Sequence, residues 1–297
     1  MGTSDNKRLE SDELSAQLGL GVKIARKLRN LLWNRADEFE IRTFEGVVMY
    51  ALFLHAERTF LSIRTLARKG TVNDAMALVR VMVEKVINAE YIYLAGTDTA
   101  IDYVEFDAFR EWRDHEERRE FDPKVDESYD ADSLDKTHSA YLKARTRTLA
   151  NGTTINRFGR GHDWIEMGLR KRAETVDDQI GKKFEANKFP FAQILYFTAF
   201  KKSSRYLHGL WESVVRTLGT PQKLGRKDDG TNLVRFDIQF KGQNPRVSTS
   251  AVYLANLIAL SMVCFLGLVF GQQEELDWAK RLIFEIAKNP QIDIPSS

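Results

Sequence analysis

Apolar residues recur at helical spacing through most of the chain. An acidic start at Ser11, Asp12 and Glu13 leads into Leu14, Leu18, Ile24, Leu28, Leu31 and Leu32. Lys23, Arg26, Lys27 and Arg29 lie between them, and the pattern predicts a helix over 12–38. A second helix is predicted from just after Thr43 to Gly70. A third runs from Thr71, with Asp74 three residues on as a shortened capping box, to Gly96. A fourth begins with Thr97 as its N-cap. Connections this short make neighbouring helices antiparallel. Further helices are expected over 134–150, 165–173, 175–187, 191–218, 249–271 and 274–288, with loops at 121–134 and 151–164. Only "NLVRFDIQF" (232–240) alternates with period two between turn signals, which places a short β-hairpin near 231–241. The fold class is therefore mainly α, an irregular multi-helix bundle in one domain over 1–297. Its core is expected over about 43–288, with the helix at 12–38 at the periphery.

Composition narrows the class of protein. The chain has 297 residues, 43% of them hydrophobic, which is enough for a sizeable core. Its 44 basic and 42 acidic residues nearly cancel, so it lacks the basic excess of a dedicated nucleic-acid binder. The single cysteine, Cys264, rules out a disulfide framework or a multi-cysteine zinc site within the chain. "MGTSDNKRLESDEL" has no apolar h-region. The expected location is the cytoplasm. The alternative is inner-membrane association, because "AVYLANLIALSMVCFLGLVF" (251–270) is uncharged and long enough to span a bilayer. A central helix of a large bundle has the same composition, and the sequence favours that reading.

Polar residues inside apolar helices are the candidate chemistry. On the third helix Arg80, Glu84, Asn88 and Tyr91 fall at i, i+4, i+8 and i+11 among Val79, Val81, Met82, Val83, Val86 and Ile87. The stripe is either a solvated face or a polar seam buried between helices, and the buried seam is favoured. In "KKSSRYLHGLWESVV" (201–215) Ser204 lies one turn before His208, beside Arg205. Nucleophilic catalysis would also need an acid behind the histidine, for which Glu84 is the best candidate, and an oxyanion site. No Gly-x-Ser-x-Gly elbow is present. A histidine bonded to a neighbouring helix is the more ordinary role.

Other signatures are weak. Arg110 with His115 and Arg157 with His162 have the spacing of HEPN-type ribonucleases, but chance alone supplies about one such pair. No His-x-x-x-His pair, phosphate loop or dinucleotide fingerprint occurs, so no metal or cofactor is expected. Segment 143–172 is basic, with Lys143, Arg145, Arg147, Arg157, Arg160, Arg170, Lys171 and Arg172 around Phe158 and Trp164. It either contacts nucleic-acid phosphates or neutralises the acidic stretch 105–135, and neutralisation is favoured.

"RTLARKGTVNDAMALVRVMVEKVINAEYIY", "HDWIEMGLRKRAE" and "YFTAFKKSSRYLHG", in that order before an apolar last third, resemble a bacterial all-helical family, domain of unknown function 5677. Its Arg-x-x-x-Glu helix maps to Arg80 and Glu84, its tryptophan segment to Trp164, and its Ser-x-x-x-His-Gly helix to Ser204, His208 and Gly209. The resemblance covers roughly 45–270. It implies a helical bundle and brings no established activity.

The reading of the whole is a binding or interaction module with a buried polar cluster, working with a protein partner or as a homo-oligomer. Asn88, Tyr91, Ser204 and Arg205 are its ligand-binding candidates. A bacterial stress or phage-defence setting is the accompanying expectation, drawn from the general use of such helical proteins. One alternative is a HEPN-like ribonuclease toxin with His208, Arg80 and Glu84 as its catalytic set. The other is a membrane-associated protein anchored by 251–270. Whether the chain is an enzyme stays open.

Overall fold

The computed structural model describes residues 3–34, 43–122, 124–128, 130–148, 153–158, 164–165, 167–184, 191–207, 221–226, 232–236 and 245–287. Helix dominates them. α1 (Thr3–Arg29) continues into a π turn at Asn30–Asn34; α2 (Phe44–Lys69), α3 (Val72–Ala95) and α4 (Thr97–Phe121) follow. α5 (Ala131–Arg145) leads into the strands β1 (Thr146–Thr148) and β2 (Thr154–Asn156). α6 (Leu169–Lys183) precedes α7 (Phe191–Leu195), a π turn at Tyr196–Phe200 and α8 (Lys201–Leu207). Strands β3 (Pro221–Arg226) and β4 (Asn232–Phe236) come before α9 (Pro245–Val269) and α10 (Gln273–Ala287).

The early helices end where the sequence says they should. Thr43 caps α2, its hydroxyl accepting from Gly46 N at 3.3 Å. Gly70 closes α2 in the left-handed region (φ 78°), and the amides of Gly70 and Thr71 return to Ala67 and Leu66. Gly96, with φ 96° and ψ −174°, adopts a conformation open only to glycine and serves as both the end of α3 and the cap of α4. Thr71 and Thr97 do other work than the expected capping. The Thr71 hydroxyl donates back to Leu66 O, and the Thr97 hydroxyl donates to Glu45 on α2 at 2.6 Å.

Two short antiparallel hairpins complete the architecture. β3 pairs with β4, which places the expected hairpin a few residues earlier than the alternating run suggested. β1, at the end of the stretch expected as helix 134–150, pairs with β2, inside the expected loop 151–164. The break expected at 174 does not occur, since α6 is continuous from Leu169 to Lys183, and the helix expected from 165 begins only at Leu169. The predicted extension of helix 191–218 beyond Leu207 lies outside the described residues.

α3 and α9 form the centre. α3 packs against α2, α4, α6, α8 and α9, and α9 packs against α1, α2, α3 and α10. The apolar window of α9 is 83% buried inside the protein, so the charge-free run has its partners in the bundle. Its one deep amide, Asn256, donates through Nδ2 to the backbone and side-chain oxygens of Gln17 on α1, each at 3.0 Å. α1 and the π turn after it, expected at the periphery, bury Ile24 and Leu28, and Leu31 and Leu32, in the main cluster.

Candidate functional site

Toward its C-terminus α3 is enclosed by neighbours, and Asn88, Ala89, Glu90, Tyr91 and Ile92 are all buried. Burying polar groups there is costly unless each finds a partner. Arg172 of α6 is 1% exposed and enters this region. Its Nη1 donates to Asn88 Oδ1 at 2.7 Å, and its guanidinium lies 5.3 Å from the Trp164 ring centroid. Trp164 in turn makes edge contacts with Tyr91 (6.0 Å) and Tyr103 (5.1 Å). Burial raises the pKa of the Tyr91 phenol, against the pull of the Arg172 cation.

Two carboxyl groups adjoin this set. Asp177 lies one and a half turns after Arg172 on α6, and its oxygens accept from the amides of Ala192 and Gln193 at 2.9 Å each. It therefore ties α6 to the first turn of α7. Burial pushes its pKa up to about 6, and the two backbone hydrogen bonds only partly oppose that rise. Glu90 is 1% exposed, and its Oε2 has no hydrogen-bond partner among the described residues. Burial first, and then the charge of Asp177, hold its pKa well above the usual carboxylate range. Burial thus favours the protonated form of Glu90. Cys264 on α9 is also buried, and burial, opposed in part by the charge of Lys280, pushes the pKa of its thiol up. That makes it an inert core residue rather than a nucleophile.

The expected stripe on α3 divides. Asn88 and Tyr91 are in the buried set. Arg80 is half-buried, with its guanidinium 4.9 Å from the Phe200 ring centroid. Glu84 is exposed and so does not reach the buried set. The reason is axial: the four residues lie within about 80° of one another around the helix, but neighbours enclose only its last turns, where Asn88 to Ile92 are buried. The helix is open to water at Glu84 and closed at Asn88.

α8 carries Ser204 and Arg205. The Ser204 hydroxyl donates to Phe200 O at 2.7 Å, and the fully buried Ser203 donates to Ala199 O at 2.6 Å. Both serines bond back along their own helix, a role open to serine in any helix. α8 packs against α3, and Phe200 stacks on Tyr196 within the preceding π turn at 5.3 Å. His208 and Gly209 lie outside the described residues, as does the side chain of Arg205.

The buried site residues that the pattern did not single out are Glu90, Arg172 and Asp177. A signal for two of them was present. Leu169, Ala173, Val176 and Ile180 form an apolar stripe, and Arg172 and Asp177 lie within it. Splitting the helix near 174 hid that stripe.

The remaining candidates have ordinary partners. Arg147 pairs with Asp98 and Asp102, and Arg157 pairs with Asp102 and Glu105, so two arginines of the basic segment answer carboxylates of α4, of which only Glu105 lies within 105–135. His115 Nε2 lies 2.9 Å from Asp126 Oδ1, and His138 stacks on Trp112 at 4.3 Å. His162 lies outside the described residues. Among the described residues no group of three or more His, Cys, Asp or Glu side chains is arranged to hold a metal ion.

A family of unknown function, DUF5677, matches residues 46–223, more than half of the chain. The chain belongs to that family. The matched span runs from the first turn of α2 through α8, and includes Arg80, Asn88, Glu90, Arg172, Asp177 and Ser204. α1, α9 and α10 lie outside it. No curated protein and no solved structure matches the chain.

Proposed function

We propose that the protein is a binding module whose buried junction of α3, α6 and α7 fixes the position of α8, the edge it offers to a partner. The observation that carries this reading is the packing of Arg172. It is fully enclosed, held by Asn88 on one side and Trp164 on the other, and a polar group held this tightly sets geometry rather than receiving substrate. Asp177 extends the same constraint to α7, whose helical course continues into Ser204 and Arg205. The proposed partner is a protein or a second copy of the chain, in a bacterial stress or phage-defence setting.

One observation favours the ribonuclease reading. Arg80 packs on Phe200, one turn before Ser204, so α3 and the helix leading to His208 are neighbours. The two readings separate in one experiment. The purified chain is incubated with structured and single-stranded RNA beside Arg80→Ala and His208→Ala, and growth of cells expressing each is followed. The binding module leaves RNA intact, and all three proteins affect growth equally. RNA cleavage by the parent that both substitutions abolish, with their thermal midpoints unchanged, would replace the binding reading with the nuclease one.

A further inference from the structure

Between the C-terminal half of α1 and the start of α10 lies an open cleft of about 390 Å³, lined by Lys23, Arg26, Lys27, Asn30 and Trp278. Lys23, Arg26 and Lys27 of α1 and Asn30 of the π turn that continues it fall at i, i+3, i+4 and i+7, one stripe on the outer side of the helix. Their charges are not all answered. Lys27 Nζ lies 3.3 Å from Glu275 Oε1 and 5.8 Å from the Trp278 ring centroid. Lys23 and Arg26 are exposed and have no carboxylate partner among the described residues. Arg29, one turn on, is paired with Glu57 across on α2 at 3.6 Å, so the fold can supply counter-ions to this helix.

A solvated basic face would be the ordinary account, because cations near a helix C-terminus complement its dipole. That account explains the charge but not the shape. Here the cations rim a concavity with an indole for a wall. Unpaired cations beside an aromatic face suit a ligand that brings both phosphate and a flat ring. The volume falls in the range of about 300–1,000 Å³ typical of small-molecule sites.

We infer that this cleft binds a mononucleotide, with its phosphates on Lys23 and Arg26 and its base against Trp278. Lys27, already engaged by Glu275, is a secondary phosphate donor that becomes available when the anion competes with that carboxylate. The site is separate from the α3–α6–α7 junction and lies outside the family-matched span, so it is a property of this chain's own flanking helices. It stands or falls independently of the binding-module reading.

The test is calorimetric titration of the full chain with ATP, inorganic triphosphate, adenosine and a single-stranded RNA oligomer. ATP is expected to bind more tightly than triphosphate or adenosine, and to weaken with added salt. The double variant Lys23→Glu/Arg26→Glu should weaken ATP by at least about tenfold. Trp278→Leu should weaken ATP but leave triphosphate unchanged, and Trp278→Phe should restore ATP. Thermal midpoints matching the parent's confirm that each variant is folded. No ATP binding at about millimolar concentration overturns the proposal. So does triphosphate binding as tightly as ATP, or RNA binding without ATP binding.

Discussion

Arg157 and Arg172 are both nearly buried arginines against aromatic rings, yet their surroundings differ in kind. Arg157 meets two carboxylates, Asp102 and Glu105, and donates to Ala144 O at 3.3 Å while lying 4.7 Å from the Phe158 ring. Both carboxylates keep contact with water. Arg172 meets an amide oxygen and an indole in full burial. At Arg157 charge is answered by charge near the surface, and either side can be rehydrated if the other is lost. At Arg172 the amide oxygen of Asn88 is a neutral acceptor, and both residues are buried away from water. The first arrangement ties a hairpin to α4; the second sets where α6 lies against α3.

The largest expected effect follows from that contrast. Arg172→Met should lower stability by about 3 kcal/mol or more, since it strips a buried amide of its partner and uncouples Trp164. Arg157→Met should cost about 1–2 kcal/mol, because Asp102 and Glu105 regain water. Urea unfolding of both variants checks the pair, and equal costs would erase the distinction. The next effect is pH-dependent. Asp177 has its pKa raised by burial from 3.8 to about 6, so the folded chain holds this proton more firmly than the unfolded chain. The associated stability is present below about pH 4 and is lost as pH rises to about 6, roughly 3 kcal/mol in all. Asp177→Asn should flatten the slope between those values in urea titrations, and an unchanged slope would place the titrating group elsewhere. The smallest effect is at Glu84. Glu84→Ala should change the unfolding free energy by less than about 0.5 kcal/mol, as expected for a side chain on the solvent face. A loss near that of Arg172→Met would return Glu84 to the polar cluster.

The parts of the fold that were legible in the sequence are those governed by local chemistry. Gly70 and Gly96 mark helix ends because their backbone conformations are closed to other residues, and α2, α3 and α4 follow from them. The run 251–270 was legible as buried helix by its lack of charge, though which helices cover it was not. β1 and β2 are three residues each, too short for alternation to register. At the site, Asn88 and Tyr91 were legible as polar groups on an apolar helix. Glu90 was not, because its burial comes from helices that surround α3 on every side, and no one-face pattern describes that. Arg172 looked like one more basic residue in a basic segment. Only its place between Leu169 and Val176 separates it from Arg170 and Lys171, which pair with Glu174 in water.

The contact between α1 and α9 joins residues 239 positions apart, as Asn256 meets Gln17. A ribosome delivers the first helix early and its cover last, roughly ten to fifty seconds later. Until then Ile24, Leu28 and the sides of α2 and α3 that face α9 lack that helix as cover. A nascent chain must therefore be shielded through most of its synthesis, and a frameshift anywhere before residue 245 would strand the oldest helix along with the newest.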